Sequence, residues 1–263
     1  MPTGTQPTPA LRVAAIQADL KWQDPEANRS AFDAVLEHLP PTDLVVLPEM
    51  FNTGFTMHAA EMAEPENGPT THWLRERARG LGSVITGSLI IESGGRYYNR
   101  LLWMKPDGEV EIYDKRHLFR LAGEDRHYTA GNTRPIMEIK GWRIRPLICY
   151  DLRFPAWSRR RDDYDVLVYV ANWPDRRHKA WQVLLQARAI ENQCYLVGVN
   201  RVGKDGDGLN YAGGTVIHDA LGETVAAGGS AAGVVSARLD YPSLAHLRAK
   251  LPFHLDADEF ELR

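Results

Sequence analysis

The sequence predicts an α/β fold in which two mixed β-sheets lie between outer helices, a four-layer αββα sandwich. Three observations favour it. Strand-like and helix-like segments alternate along the 263 residues. Strand-like segments outnumber the helical ones, and several follow one another with only turn signals between them. Residues 164–172 are apolar on both faces, which is typical of a central strand.

Each element has its own local signal. In the first half, Pro25 suits a helix start and glycine stops the helix that ends at residue 82. Strands are predicted at 11–18, 43–49, 83–92, 97–105 and 109–115, with helices at 25–39 and 69–82. Further strands are predicted at 142–151, 164–172, 194–202, 213–219, 223–228 and 233–239, with helices at 155–164, 177–193 and 243–251.

No linker or repeat interrupts this pattern, so we expect a single domain. Its predicted bounds are residues 11–250. A flexible lead-in, residues 1–10, precedes the domain, and a polar tail, residues 251–263, follows it.

Composition excludes several classes of protein. The formal net charge is −3 with both signs interspersed, so no basic field predicts nucleic-acid binding. No apolar run reaches the roughly 18 to 20 residues of a membrane span, and no secretory signal pattern opens the chain. The two cysteines make no disulfide framework, which favours a reducing cytoplasm. No zinc-binding spacing, phosphate-binding glycine loop or dinucleotide fingerprint is present.

Three reactive side chains stand where apolar strands end. The strand DLVVLPE ends at Glu49, EVEIYDK ends at Lys115, and WRIRPLIC ends at Cys149. In open α/β sheets the ligand crevice lies at the carboxyl ends of strands. We therefore expect these three side chains to converge on one site.

The chemistry of such a trio is that of acyl transfer from an amide. A thiolate is a strong nucleophile but needs help to form near neutral pH. A carboxylate can take its proton and return it to a leaving amine, while an ammonium group stabilises the developing oxyanion. Taken singly, each residue has a plainer interpretation: Cys149 as apolar filler, Glu49 as a loop carboxylate and Lys115 as a solvated charge. The residues alone leave this choice open.

The segments around the trio resemble those of a known family. LPEMFNTGF, YDKRHLF and LICYDLRFP are similar to signature segments of the nitrilase superfamily of carbon–nitrogen hydrolases. The similarity extends from about residue 11 to about residue 250 and includes residues 172–174, 186–203 and 213–223. Within the family, the omega-amidase branch is the most similar.

The resemblance implies a role for each motif residue. Glu49 matches the general base, Lys115 the lysine that stabilises the transition state, and Cys149 the nucleophile. Glu124 matches a second glutamate beside them, with a loop carboxylate as the alternative. The backbone N–H of Tyr150 is expected to help hold the oxyanion. The implied reaction passes through a thioester and needs no metal or organic cofactor.

The resemblance also bears on the substrate. Nitrile-cleaving members often have Cys-Trp-Glu, whereas Cys149 is followed here by Tyr150 and Asp151, which favours an amide. The omega-amidase branch hydrolyses the terminal amide of short dicarboxylic monoamides such as 2-oxoglutaramate. Its distal carboxylate needs a cation or several N–H donors. Arg153 is a candidate, and the alternative is that it braces the loop after the nucleophile.

Several aromatic residues near the motifs could line a small binding slot, although aromatic side chains also form cores. These candidates are Phe55, Phe119, Tyr128 and Trp173. The second cysteine, Cys194, is expected to be buried and inert. His117 and His127 are expected to hydrogen-bond locally, whereas in a cysteine–histidine hydrolase one of them would be the base.

Three hypotheses follow for the function. The first is an amidase acting on small omega-amides, the second an enzyme for a different amide or carbamoyl substrate. The third is a non-catalytic scaffold, which a lost member of the trio would indicate, and none is lost. From the resemblance, the partners expected are a small amide substrate and a second copy of the chain in a homodimer. The C-terminal tail would then lie at the dimer interface.

Overall fold

The structure, a computed structural model, describes residues 7–262. The helices within that range are α1 (Pro25–Leu36), α2 (Ala59–Met62), α3 (Pro69–Leu81), α4 (Pro155–Ser158), α5 (His178–Asn192) and α6 (Tyr241–Lys250). The strands there are β1 (Ala10–Gln17), β2 (Leu44–Val46), β3 (Glu64–Pro65), β4 (Val84–Ser93), β5 (Arg96–Met104), β6 (Val110–Asp114), β7 (Met137–Ile139), β8 (Trp142–Ile148), β9 (Val166–Val170), β10 (Tyr195–Val199), β11 (Val202–Lys204), β12 (Asn210–Ala212), β13 (Val216–His218), β14 (Thr224–Ala227) and β15 (Gly233–Asp240).

Two large mixed sheets are built on the same plan. The first has the strand order β15-β1-β2-β4-β5-β6, with β3 beside β4, and the second has the order β14-β13-β10-β9-β8-β7. Each sheet has three central parallel strands flanked by antiparallel ones. The parallel strands are β1, β2 and β4 in the first sheet and β8, β9 and β10 in the second. β11 and β12 form a separate hairpin.

Apolar side chains hold four layers together. Between the sheets, Val46 and Trp103 of the first sheet pack in one cluster with Leu147 and Val168 of the second. A separate cluster packs α1 and α3 against the outer face of the first sheet. The helix α5 covers the second sheet, where a Cβ on Gly198 would clash with Leu185. The predicted αββα fold class is confirmed.

Local signals explain where the helices begin and end. The Asp24 side chain accepts a hydrogen bond from the Ala27 N–H, capping α1 ahead of Pro25. Gly82, at φ +61°, ends α3 in the left-handed conformation that glycine adopts at little cost. The Asp240 side chain caps α6 by accepting from the Ser243 N–H.

Several predicted elements are shorter than expected. The strand predicted at 43–49 spans only Leu44–Val46, and the helix predicted at 155–164 only Pro155–Ser158. The strand predicted at 142–151 stops at Ile148, and Cys149–Arg153 form a 3₁₀ helix instead. The strand predicted at 194–202 is broken, because its end pairs in the β11–β12 hairpin.

The chain termini are described only in part. Residues 1–6, most of the predicted flexible lead-in, and Arg263 lie outside the described residues. From Thr8 onward the chain is hydrogen-bonded: the Thr8 N–H donates to the Lys140 carbonyl, and the Trp142 indole N–H donates to the Thr8 carbonyl.

Candidate active site

The Glu49 carboxylate is buried where β2 gives way to a loop, and three groups donate to it. It has no exposed surface. Lys115 Nζ and Asn99 Nδ2 each lie 2.8 Å from Oε1, and the Asn172 backbone N–H lies 2.8 Å from Oε2. These donors fix the carboxylate in position because each oxygen is held from a different direction.

The Lys115 ammonium follows the end of β6 and lies between two carboxylates. Its side chain is 1% exposed, with Nζ 2.8 Å from Glu49 Oε1 and 2.9 Å from Glu124 Oε2. The ring of Phe55 lies 5.1 Å away, within the range of a cation–π contact. The lysine is therefore held as a fixed positive charge.

The second glutamate, Glu124, stands in a short 3₁₀ helix that begins after Gly123 at φ +75°. Both of its oxygens accept from Lys115 Nζ, and Oε2 also accepts from the Phe119 backbone N–H at 2.5 Å. Asn99 Nδ2 reaches it as well, at 3.3 Å. The predicted placement of Glu124 beside the lysine is what the structure shows.

The charges of this cluster shift its proton affinities. Burial alone would lower the pKa of Lys115, but the carboxylates of Glu124 and Glu49 outweigh it and the pKa is raised. Burial and the charge of Glu49 raise the pKa of Glu124, against the pull of Lys115. Burial, followed by the charge of Glu49, raises the pKa of the Cys149 thiol well above its usual range. The resting nucleophile is therefore a thiol with a carboxylate beside it.

Cys149 stands on a sharp turn directly after the last residue of β8. Its φ is +43°, a conformation that is unfavourable for a residue with a side chain and recurs where a nucleophile is presented on an elbow. Tyr150 is the second residue of the following 3₁₀ helix. The first N–H groups of a helix have no acceptor within it, so the Tyr150 N–H is available to a ligand.

A cavity of about 240 Å³ opens above Lys115 and Cys149. Four of the predicted binding residues, Phe55, Phe119, Arg153 and Trp173, line it. The fifth, Tyr128, does not: it is 5% exposed in a separate apolar cluster, and its hydroxyl donates to the Thr56 carbonyl at 2.6 Å. The structure therefore corrects the placement of Tyr128 to a core position behind the site.

The outer part of the cavity is rich in guanidinium groups. Arg153 stacks over Trp173 at 4.9 Å and Arg177 over Phe119 at 4.9 Å, while Arg176 lines the same opening. Within residues 7–262, none of the three forms an ion pair with a carboxylate. Burial and the neighbouring charge of Arg176 lower the pKa of Arg177. These guanidinium groups are therefore available to an anionic ligand.

Sequence reasoning missed several residues of the site. Asn99 and Asn172 hold Glu49, yet an asparagine inside a strand or after one has no distinctive spacing. Residues of the β11–β12 hairpin also line the cavity, namely Asp205, Asp207, Leu209 and Tyr211. Asn172 belongs to the segment 172–174, whose similarity to the family could have indicated that it lies at the site. Arg177 falls at the start of the helix predicted at 177–193, and Arg176 lies just before it, so neither is singled out by the sequence pattern.

The structure also places the second cysteine, the two histidines and Arg188. Cys194 is fully buried, and burial raises the pKa of its thiol to about 12. His117 Nδ1 lies 2.8 Å from Asp151 and His127 is exposed, so neither replaces Glu49 beside the thiol. Arg188 Nη2 donates to the Leu152 carbonyl at 2.8 Å, which braces the turn after Cys149. Among the described residues, no group of three or more His, Cys, Asp or Glu side chains is placed to hold a metal ion.

A buried carboxylate, a fixed ammonium and a thiol lie together beside one small cavity, a combination that is typical of hydrolases with a cysteine nucleophile. The family model described as carbon–nitrogen hydrolase matches residues 12–249. The chain therefore belongs to the carbon–nitrogen hydrolase family, and it is an amidase-type enzyme of that family. The predicted resemblance is confirmed.

Individual relatives agree with this assignment. The chain is similar to omega-amidase YafV from Yersinia enterocolitica, 49% identical over 96% of this chain and 98% of that protein. It is also similar to 2-oxoglutaramate amidase from Bacillus subtilis, 32% identical over 91% of this chain and 95% of the relative.

A solved structure supports the fold at high similarity. The crystal structure of XC1258 from Xanthomonas campestris is described as a CN-hydrolase superfamily protein with an arsenic adduct in the active site. It matches with a TM-score of 0.95 at 45% identity, covering 97% of this chain and 99% of that one. Across residues 7–262, helices long and apolar enough for a membrane span are absent.

Proposed function

We propose that this enzyme hydrolyses the terminal amide of a short omega-amide such as 2-oxoglutaramate, giving the carboxylate and ammonia through a cysteine thioester. The relatives named omega-amidase and 2-oxoglutaramate amidase support the substrate class. The observation that carries the proposal is the convergence of Glu49, Lys115 and Cys149 at one end of a cavity whose outer part holds arginines without counter-ions.

In the first half of the reaction, the substrate amide carbon is attacked by Cys149 sulfur. Glu49 accepts the thiol proton as the carbon–sulfur bond forms, because the raised pKa of the thiol leaves little thiolate beforehand. Lys115 and the Tyr150 N–H stabilise the tetrahedral oxyanion. Glu49 then returns its proton to the nitrogen, the carbon–nitrogen bond breaks, and ammonia leaves a thioester on Cys149.

In the second half, water replaces the sulfur. The water oxygen attacks the thioester carbon while Glu49 accepts a proton from the water. Lys115 and the Tyr150 N–H again stabilise the oxyanion. When the intermediate collapses, the carbon–sulfur bond breaks and the sulfur takes the proton back from Glu49. The carboxylic acid product leaves, and the thiol is restored.

The arginines at the outer part of the cavity suit the far end of such a substrate. The guanidinium carbons of Arg153 and Arg177 each lie 4.9 Å from the centroid of an aromatic ring, a cation–π contact that leaves their N–H groups available to a ligand. A carboxylate bound there would be bidentate and charge-assisted. With the distal carboxylate at the arginines, the terminal amide would point towards Cys149.

The test is a comparison of amides under one set of conditions. Ammonia release is measured from 2-oxoglutaramate, glutamine, asparagine and a simple nitrile. We expect the highest kcat/KM with 2-oxoglutaramate and none with the nitrile. Poor release from 2-oxoglutaramate beside rapid release from another amide would reject the substrate and favour the alternative of a different amide or carbamoyl substrate.

Two further expectations stay predictions. The homodimer, with residues 251–263 at its interface, is tested by sedimentation of the full chain and of a variant truncated after Lys250. The cytoplasmic location is tested by fractionation of cells that express the protein. Neither bears on the chemistry of the cavity.

A further inference from the structure

One fully buried carboxylate beside the site has no part in the mechanism above. Asp151 lies two residues after Cys149 and is 0% exposed. It accepts four hydrogen bonds: from the Ile148 N–H at 3.0 Å, the Tyr113 hydroxyl at 2.7 Å, the His117 N–H at 3.0 Å and His117 Nδ1 at 2.8 Å. A buried carboxylate is costly unless its acceptors are used in this way.

The donors come from two different sheets. Tyr113 belongs to β6 of the first sheet, and His117 follows that strand two residues beyond Lys115. Ile148 is the last residue of β8 in the second sheet, immediately before Cys149. Asp151 therefore ties the segment that carries the lysine to the turn that carries the nucleophile. Apolar packing between the sheets is non-directional, whereas these hydrogen bonds require a defined geometry.

Each donor is itself held in place. Burial and the adjacent carboxylate raise the pKa of Tyr113 well above its usual range, so the hydroxyl keeps its proton and donates it. The same hydroxyl accepts from Trp157 Nε1 at 3.0 Å. The His117 ring stacks on Phe154, with centroids 3.7 Å apart and planes 6° apart. A network in which every member is satisfied is rigid.

The turn at Cys149 needs support because its backbone is strained. At φ +43° a residue with a side chain is held only when its surroundings determine the conformation. Asp151 Oδ2 accepts from the N–H of Ile148, the residue before Cys149. Arg188 donates to the carbonyl of Leu152, three residues after Cys149. The sulfur position therefore depends on these two anchors.

We propose that Asp151 is a positioning residue that, through Tyr113 and His117, sets the distance between the Lys115 ammonium and the Cys149 sulfur. The proposal rests on the roles proposed above for Lys115 and Cys149, and it does not depend on which amide is the substrate. Asp151 does not line the cavity, so it acts on the geometry of the transition state and not on substrate binding.

The first test replaces Asp151 by asparagine. All four partners are donors, so an asparagine amide must turn its NH₂ group towards at least one of them, whichever way it is oriented. We expect kcat to fall by roughly 100-fold, since small misplacements of reacting groups have effects of that size, with KM unchanged. The kinetics are measured with whichever amide the wild-type enzyme turns over fastest.

A matched control separates positioning from general stability. Asp165 is also fully buried and accepts from Arg143 and Arg248, away from the cavity. Asp165→Asn should lower the melting temperature as much as Asp151→Asn or more, because it breaks a buried charge network, yet it should leave kcat unchanged. Equal losses of kcat in the two variants would overturn the proposal.

A second pair keeps the proposal testable if Asp151→Asn does not fold. His117→Asn retains a side-chain N–H near the position of Nδ1 and loses the stacking on Phe154. His117→Phe retains the stacking and loses the donor. We expect kcat of the phenylalanine variant to be about tenfold below that of the asparagine variant, because the lost contact is one to a buried charge. Equal kcat values, or a higher value for His117→Phe, would show that packing and not the hydrogen bond to Asp151 matters.

Discussion

The two ends of the cavity are built in opposite ways. At the inner end, Glu49, Lys115 and Glu124 are almost completely buried, and each charge lies within 3.0 Å of an opposite charge. At the outer end, Arg153 and Arg177 rest on aromatic rings and have no carboxylate partner among residues 7–262. Fixed, mutually satisfied charges suit a reaction centre, whereas unpaired charges suit a ligand that arrives with its own. Variants at the inner end should therefore change kcat, and variants at the outer end should change KM and substrate preference.

The largest effect is expected from Cys149→Ala. Without the sulfur no thioester can form, so ammonia release should fall by at least about 10⁴-fold. The fold should be retained, because alanine removes the side chain without adding volume. Coupled-enzyme detection of ammonia and a circular dichroism melt measure the two quantities. Substantial residual turnover in a folded sample would refute the covalent mechanism.

The next largest effect is expected from Glu124→Gln. Glutamine keeps the shape but removes one of the two negative charges that hold Lys115, so the ammonium loses its fixed position. We expect kcat to fall by roughly 100-fold with little change in KM. Steady-state kinetics with the best amide substrate separates the two parameters. A rise in KM with kcat preserved would place Glu124 in substrate binding and would break the contrast between the two ends.

At the outer end, Arg177→Met keeps the contact with Phe119 and removes the charge. We expect KM for an amide with a distal carboxylate to rise by about 10- to 100-fold, the range for one lost charge-assisted contact, with kcat largely preserved. An amide of the same length without a carboxylate serves as the control substrate, and its KM should not change. Equal changes in KM for both substrates would show that Arg177 does not bind the distal carboxylate. Arg153→Met, made in parallel, tells whether both arginines take part.

The pH dependence of thiol alkylation sharpens the description of the inner end. Because the pKa of Cys149 is raised, the fraction of thiolate should grow by about tenfold per pH unit below that pKa, and iodoacetamide should react faster from about pH 7 to about pH 9. Mass spectrometry of the peptide that contains Cys149 follows the reaction. A rate that is already constant below about pH 7 would indicate a preformed thiolate and no need for Glu49 as base in the first step.

The smallest effect is expected from Cys194→Ala. This second thiol is fully buried and away from the cavity, so kcat should not change, and stability should fall by about 1 kcal/mol, a usual cost for a core substitution. Chemical denaturation and steady-state kinetics test the two parts. A loss of kcat in Cys194→Ala would contradict the prediction that Cys194 has no part in catalysis. The same variant leaves Cys149 as the sole cysteine for the alkylation experiment.

Much of this molecule could be predicted from its sequence, because the deciding signals are local. The alternation of apolar segments predicts most of the strands and helices, although two predicted strands extend beyond the observed ends at Val46 and Ile148. Glu49, Lys115 and Cys149 were predicted to converge, and the structure brings them together across separations such as the 66 residues between Glu49 and Lys115. Their catalytic roles stay predictions until the variants are measured.

Other features depended on contacts between distant segments. Phe119 and Tyr128 both follow Lys115 in the chain and are separated by two short 3₁₀ helices, yet Phe119 lines the cavity and Tyr128 lies in a core cluster. The apolar pattern of residues 194–202 predicts one continuous strand, whereas Val202 pairs in the separate β11–β12 hairpin.

The sequence by itself therefore determined the fold class, the order of the elements and the three reactive side chains, since periodicity and residue type are local properties. Only the tertiary structure decided which groups surround them: Asn99 and Asn172 on Glu49, Arg177 over Phe119, and Asp151 between the two sheets. The physical reason is that hydrogen bonds and ion pairs in a buried site form between segments far apart in the chain. Their partners are fixed by how the two sheets pack, and no local pattern records that packing.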